Sequence, residues 1–490
     1  MNKYLLCAMA CAAALAAAAC GPPEPKSPNL LLISVDTLRL DRLTCYGGPE
    51  GNTPHIDGLA SQGVRFASVQ APRGLTWPSL TTLMTGLHPR THQIRDNGAM
   101  LPEQFVTLPQ KLTTAGYETG AFLSNMCDAP NRGLSTLFCA WWEESGPPAK
   151  RTRREWLSHD QPKWDAAITR EAITFMRKER KQPFFAWVHY IDPHKPFDLV
   201  PEYARDEYDG SFPVDDDSLA RLTLAQTPPT PAQRRQLLAI YDSQVSSTDA
   251  HIGAILTALQ ADGLADNTLV VFTADHGEEL GDHNAYYYHL SSVYQQVLSV
   301  PLILRWPGRL PADLVTDAPI AAVDIAPTLL ELLGLAAEND SMEGESRAGL
   351  ARQEAGATGA ATTFSEWRDR MVIVGQGNWR YIWNPDAVVT YGLPFKRDSD
   401  LGFSIAPEEL YDLAADPLQQ ENVAAAYPEK TAALKARACA FVTEQDFHRS
   451  ISHQLSPESE ERLKSLGYLQ GEEETSTATS PLSDHCPAKP

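Results

Sequence analysis

Apolar residues arrive along this chain in short unbroken runs, and most runs end in a charged or turn-forming residue. NLLLISVD (29–36), PFFAWVHY (183–190) and NTLVVFTAD (267–275) show no polar alternation. Such runs predict strands buried on both faces, the pattern of a parallel sheet covered by helices. GVRFASV, GYETGAFLS and VPLILRWPG predict further strands. Between them the period becomes helical: TPHIDGLASQG (53–63), residues 108–115, DAAITREAITFMRKER and IAPTLLELLG. A long helical period runs over 231–263 through Leu237, Leu238, Ile240, Tyr241, Val245 and Ile252. This alternation predicts an α/β fold with a mostly parallel sheet.

Near residue 340 the pattern changes. After a Gly/Ala-rich stretch (348–361), TFSEW, MVIVGQG and WRYIW predict short antiparallel strands. ELYDLAADP reads as a turn and 428–443 as a helix. Residues 205–232 are acidic and Pro-rich and read as a surface loop; the tail from about 470 reads as disordered.

PRGLTWPSLTTLMTG (72–86) marks a change from loop to helix, with Leu80, Leu83 and Met84 as the first apolar positions. Pro78 fits a first helical turn, and Thr76 fits just before it. A helix N-terminus favours anions. Thr76 is therefore either a capping hydroxyl or part of a site.

Over 490 residues the formal charge is −21, which opposes nucleic acid and anionic lipid surfaces as partners. An anionic small substrate stays open, because a local site can oppose the global field. The segment LLCAMACAAALAAAAC after Lys3 reads as a secretory signal, too short and Ala-rich for a permanent span. It resembles a bacterial lipoprotein signal with Cys20 as the lipidated residue; the alternative is a cleaved, soluble periplasmic protein. GPPEPKSP (21–28) reads as a tether. Among the remaining cysteines, Cys127 with Cys139 and Cys439 with Cys486 are possible pairs by spacing.

Three predicted strands deliver polar groups at their carboxyl ends. The first ends in Asp36. The second ends in His189, followed by Asp192 and His194. The third ends in Asp275 and His276, then Glu278, Glu279, Asp282 and His283. Ligands of open α/β sheets bind outside the carboxyl ends of strands. Converging carboxylates and imidazoles there make an oxygen/nitrogen metal site.

PNLLLISVDTLRLDRLTCYGG, TPHIDGLASQGVRF, TWPSLTTLMTGLHPR, WVHYIDPHKPF, FTADHGEELGDH, VPLILRWPG, VDIAPTLLELLGL and ELYDLAADPLQQENVA occur in this order. Together they resemble the sulfatase family of the alkaline phosphatase superfamily, over about residues 28 to 470. The resemblance implies a large α/β domain (29–340) with a mixed, mostly parallel central sheet flanked by helices. A small C-terminal α+β subdomain (341–470) with a short antiparallel sheet follows.

The resemblance also implies one divalent cation, calcium by family with manganese, magnesium or zinc as alternatives. Asp36, Asp275 and His276 match its ligands, and Thr76 completes the set. Thr37 stands where many sulfatases have a second Asp. A less favoured two-metal variant adds Asp192 and His194 with His283 or His289. Sulfatases carry C-x-P-x-R or S-x-P-x-R, whose Cys or Ser becomes formylglycine. Here the stretch is Thr76-Trp77-Pro78-Ser79-Leu80, which lacks both that precursor and the Arg. Membrane phosphotransferases and nucleotide phosphodiesterases of the superfamily do use Thr at this place.

The expectation is therefore a metal-dependent hydrolase of sulfuric or phosphoric esters with Thr76 as nucleophile. His194 contacts the anion or leaving group. Asn125, His283, Tyr288 and His289 lie in the substrate-binding region, and Arg39 and Arg90 form structural ion pairs. The substrate is an anionic ester, including a glycan or envelope component. Alternatives are a phosphodiesterase or phosphoryl transferase, or an inactive envelope-binding relative.

Overall fold

The computed structural model describes residues 27–97, 99–123, 161–195, 197, 199–205, 208–210, 229–283, 289, 292–336, 341–387, 389–391, 402–444 and 482–486. The three unbroken apolar runs form the centre of the main sheet. They are β1 (Asn29–Val35), β4 (Phe184–Tyr190) and β5 (Thr268–Ala274), buried along their whole length. The other strands are β2 (Val64–Gln70), β3 (Glu118–Leu123), β6 (Ser299–Arg305), β7 (Leu314–Thr316) and β8 (Ile320–Ala321). The order is β3-β4-β1-β5-β6-β2-β7, with β8 also on β2. Only β6 runs antiparallel to its neighbours, so the sheet is mixed but mostly parallel, as expected.

Parallel neighbours need crossovers, and helices supply them. They are α1 (Pro54–Ser61), α2 (Thr76–Thr85), α3 (Leu108–Thr114), α4 (Gln161–Arg177), α5 (Pro231–Ala261) and α6 (Ile325–Leu332). A capping box between Thr230 and Gln233 starts α5. Side chains such as Trp187, Tyr190, Phe185 and Phe272 are fully buried, each contributing about 1.5–3 kcal/mol of transfer free energy.

The second core belongs to the C-terminal subdomain. There β9 (Thr363–Trp367), β10 (Met371–Gln376), β11 (Trp379–Trp383) and β14 (Glu408–Asp412) form a four-stranded antiparallel sheet. A two-stranded ribbon, β12 (Val389–Tyr391) with β13 (Gly402–Ser404), accompanies it. The helix α7 (Pro428–Glu444) packs Leu434, Phe441 and Val442 against Val372, Tyr381 and Trp383.

Two readings change here. ELYD is a strand, with Leu410 opposite Tyr381; only the following Asp412–Asp416 segment turns. Residues 482–486 of the polar tail are described. Leu482–His485 form a short 3-10 turn, Leu482 enters the second core, and Cys486 is disulfide-bonded to Cys439. Cys20, Cys127 and Cys139 lie outside the described residues. No described helix is long and apolar enough to cross a membrane.

The two cores meet along an extension of β2. Gln70 donates to Ser365 at 2.7 Å, Ser365 donates to the Ala71 carbonyl at 2.5 Å, and Glu366 N–H donates to the Pro72 carbonyl at 2.9 Å. This seam runs straight towards Thr76.

Candidate active site

Sheet register brings the first two carboxylates together. Val35 of β1 pairs with Ala274 of β5, so Asp36 and Asp275 leave the sheet side by side. On the other flank Asp36 N–H donates to the Tyr190 carbonyl at 2.9 Å. His276 comes next, with Nδ1 2.9 Å from the Gly277 carbonyl. A carbonyl only accepts, so Nδ1 carries the proton and Nε2 presents a lone pair. That nitrogen lies 3.5 Å from Asp275 Oδ2, 3.9 Å from Asp36 Oδ1 and 3.3 Å from Thr76 Oγ1.

One ligand atom each from Asp36, Asp275 and His276 lies within 4.8 Å of the others, and all three residues are buried. Two donors at about 2.0–2.6 Å from one cation are at most about 5 Å apart, so the spacing and the donor chemistry fit a divalent cation. Among the described residues this is the one group of its kind. Asp192 and His194 belong to no second group of this kind among the described residues.

Burial sets the electrostatics. It pushes the Asp275 carboxyl up to about 7, against hydrogen bonds from the His276 and Thr37 N–H groups and the Thr76 hydroxyl. Burial also raises Glu278 to about 8. His189 is lowered to about 3 by burial and by neighbouring His276. Burial holds His276, His194 and His289 below the usual imidazole range too. The protein alone thus assembles neutral imidazoles and carboxyls that resist ionising, the state a bound cation reverses.

Thr76 opens α2, and the cap position belongs to Leu75. No side chain caps this helix, so Thr76 is not a capping hydroxyl. Its Oγ1 meets His276 instead. The helix start also differs from the anion cradle its position implies. Trp77 N–H donates to Asn97 at 2.8 Å, Pro78 has no N–H, and Ser79 N–H donates to the Leu75 carbonyl at 3.2 Å. A row of free backbone donors is not there.

Thr37 acts through its backbone. Its φ is 54°, in the left-handed region that a β-branched residue rarely adopts. The strain, on the order of 1–3 kcal/mol, is held from two sides. Thr37 N–H donates to Asp275 at 3.2 Å, and Tyr241 of α5 donates its hydroxyl to the Thr37 carbonyl at 2.6 Å.

Two further histidines converge. The His289 ring lies 4.4 Å from the His276 ring and 5.4 Å from that of His194, centroid to centroid. His194 donates Nδ1–H to the Lys195 carbonyl at 2.8 Å, which leaves Nε2 as an acceptor. His289 Nδ1 lies 3.0 Å from Glu278 Oε2. His283 is not brought to this cluster. It stacks on Tyr294, with Nε2 3.2 Å from the Gln419 carbonyl and Nδ1 3.4 Å from Glu279, at the contact with the subdomain. Asn125 and Tyr288 lie outside the described residues.

Arg39 pairs with Asp41 and Asp282, and Arg90 pairs with Glu366 at 2.9 Å. Sequence reading missed the orienting role of Glu278 and the support of His189 by Ser34 at 2.9 Å. A Glu beside a ligand His was the available signal for the first; nothing local signals the second.

A family model described as "Sulfatase" matches residues 28–335. A second, described as "N-sulphoglucosamine sulphohydrolase, C-terminal", matches residues 281–439. An ulvan-active sulfatase of Formosa agariphila is 27% identical over 423 residues, covering 82% of this chain and 78% of that protein. A delta 4,5-hexuronate-2-O-sulfatase of Bacteroides thetaiotaomicron is 26% identical, covering 81% and 85%. The crystal structure of a phosphonate monoester hydrolase of Agrobacterium radiobacter superposes with a TM-score of 0.66 at 23% identity, covering 86% of this chain and 96% of that one. That last likeness speaks to the fold. With a model matched over more than half its length and a buried Asp/Asp/His cluster at the sheet's carboxyl edge, the chain belongs to the sulfatase family of ester hydrolases.

Proposed function

We propose that this protein hydrolyses an anionic ester with the Thr76 hydroxyl as the attacking group. The observation that carries this reading is Thr76 Oγ1, 3.3 Å from His276 Nε2 and free of any capping role. Asp36, Asp275 and His276 would hold the divalent cation, with Thr76 beside them. A bound cation supplies Lewis-acid polarisation and lowers the pKa of a neighbouring hydroxyl.

The chain's own residues account for the rest. Thr76 Oγ forms a bond to the sulfuryl or phosphoryl centre as the bond to the leaving oxygen breaks. His194 Nε2 accepts the threonine proton and returns it to the leaving oxygen. In the second half-reaction His194 takes a proton from water, water attacks the enzyme ester, and Thr76 recovers its proton. His289, oriented by Glu278, faces the anionic oxygens.

The relatives' names point to sulfated sugars as the substrate class. A phosphodiester or phosphonate is the second reading, favoured by the threonine itself, which cannot become formylglycine. Delivery to the periplasmic side through lipidated Cys20 completes the picture; Cys20→Ala should release the protein from membranes or block maturation.

The test is metal content together with turnover of 4-nitrophenyl sulfate, phosphate, phosphodiester and phosphonate. Thr76→Ala should lower turnover by roughly 10⁴-fold or more, the scale of removing a nucleophile, and Thr76→Ser should keep part of it. Because the hydroxyl caps nothing, Thr76→Ala should unfold within about 1 kcal/mol of wild type. Near-normal kcat in Thr76→Ala would end this reading.

A further inference from the structure

A second charged assembly adjoins the site. Four arginines gather where the β9–β10 hairpin meets the segment before α2. Arg90 is taken by Glu366 at 2.9 Å, and Arg95 by Asp369 at 2.8 Å. Arg73 lies among Glu366, Asp369, Arg368 and Asp96. It is only 4% exposed, yet its Nη1 is buried with no hydrogen-bond partner among the described residues.

A buried guanidinium nitrogen left without a partner is costly; Glu366 and Asp369 are each paired with another arginine, although Glu366 Oε1 is likewise buried without a hydrogen bond. Against burial, which raises it, Arg90, Arg95 and Arg73 hold the Glu366 carboxyl below the usual range. The group as a whole carries more positive than negative charge in a protein of net charge −21.

Its position is equally informative. Arg73 precedes Thr76 by three residues, so their Cα atoms are at most about 11 Å apart. The Arg73 carbonyl accepts the Ser79 hydroxyl of α2 at 2.7 Å. The next residue, Gly74, lies so close to the His289 carbonyl that a Cβ there would come within 2.9 Å of it.

We propose that Arg73 is the centre of a second anion subsite, which binds a carboxylate or sulfate carried by the same substrate molecule as the ester under attack. This rests on the reading of Thr76 and its metal cluster as the hydrolytic site, and it narrows the substrate to a dianionic or polyanionic molecule. The planar fork of Arg73 suits a two-oxygen acceptor.

The experiment titrates inorganic sulfate into the full-length protein by calorimetry, first metal-loaded and then after chelation. One sulfate should survive chelation and persist in Thr76→Ala. Arg73→Met should weaken that sulfate by about 10-fold to 100-fold, the scale of a charged hydrogen-bonded contact. Without sulfate, Arg73→Met should melt close to wild type, because Arg73 Nη1 makes no hydrogen bond and Glu366 keeps its bond to Arg90.

On Thr76→Ala, a sulfated uronate-containing disaccharide should bind at least about 10-fold tighter than its carboxyl-reduced form. Adding Arg73→Met should erase that preference. The proposal is overturned if chelated wild type binds no sulfate, if the disaccharide pair binds equally, or if Arg73→Met melts several degrees lower. None of these outcomes bears on whether Thr76→Ala abolishes turnover, so the two readings fail separately.

Discussion

Two buried charge assemblies flank the start of α2, and they solve opposite problems. On one side Asp36, Asp275 and His276 crowd two acids and a neutral imidazole together, a donor set that fits a divalent cation. On the other, the four arginines Arg73, Arg90, Arg95 and Arg368 outnumber the three acids Glu366, Asp369 and Asp96. The first is built by sheet register: adjacent parallel strands end level, so consecutive chain positions meet across β1 and β5. The second is built by docking of one core on another, with Arg73, Arg90 and Arg95 from the large domain and Glu366 and Asp369 from the hairpin of the small one. Register makes a site rigid and local. Docking makes a site that depends on the whole molecule.

The largest expected effect on that contrast comes from the metal side. Asp36→Asn should lower divalent-metal affinity by more than about 100-fold, since even partners outside the ligand shell are worth 10–100-fold. Metal analysis after dialysis at fixed free metal reads it out. Retention of a full equivalent would move the cation elsewhere.

The docking side is probed by its paired arginine. Arg90→Met removes the hydrogen-bonded partner of buried Glu366 and should cost about 3–5 kcal/mol in denaturant unfolding. Arg73→Met should cost nothing there. Equal losses for the two variants would erase the distinction between a tie and a subsite.

The smallest effect is in pH. Without metal, Asp275 titrates near 7 in the folded protein against an ordinary value of 3.8, and Glu278 near 8 against 4.5. Both folded values are raised, so their stabilisation is full at pH 4 and is lost as pH rises through 7 to 8. Metal-free protein should therefore melt lower at pH 8 than at pH 5. The Asp275 contribution is on the order of 4 kcal/mol at most. Metal-loaded protein should show less of this fall, or the reverse, because the cation favours the carboxylate. A metal-free melting temperature that rises from pH 5 to 8 would contradict the environment described for these groups.

Much of the fold was legible in the sequence for a simple reason. The central strands are buried on both faces, so β1, β4 and β5 are written as unbroken apolar runs with their site residues at the ends. That reading put Asp36, Asp275 and His276 among the polar groups at the strand ends, and the resemblance to sulfatases singled out these three. Thr76 was placed at the right helix end, with a cap and a site residue both open; Leu75 takes the cap position, and the Thr76 hydroxyl meets His276.

The short strand at Glu408–Asp412 was hidden by the turn residues just after it. His283 looked like a site residue because it sits in the DHGEELGDH run. The chain swings it into the contact with Tyr294 and Gln419, and no sequence spacing reports that. Arg73 carried no signal at all, since its meaning comes from burial between two domains.

The bond between Cys439 and Cys486 has a practical side. It ties Cys486 to α7, and Leu482 is inserted into the second core next to it. Trimming the polar tail at about residue 470 to aid crystallisation would remove both the covalent tie and the apolar plug. Production in a reducing cytosol would lose the tie while keeping the plug. Tying off a loop of this kind is typically worth about 2–4 kcal/mol, and the small domain thus stabilised carries the hairpin with Glu366 and Asp369. Expression host and chain length are therefore experimental variables for any assay that reads the arginine seam.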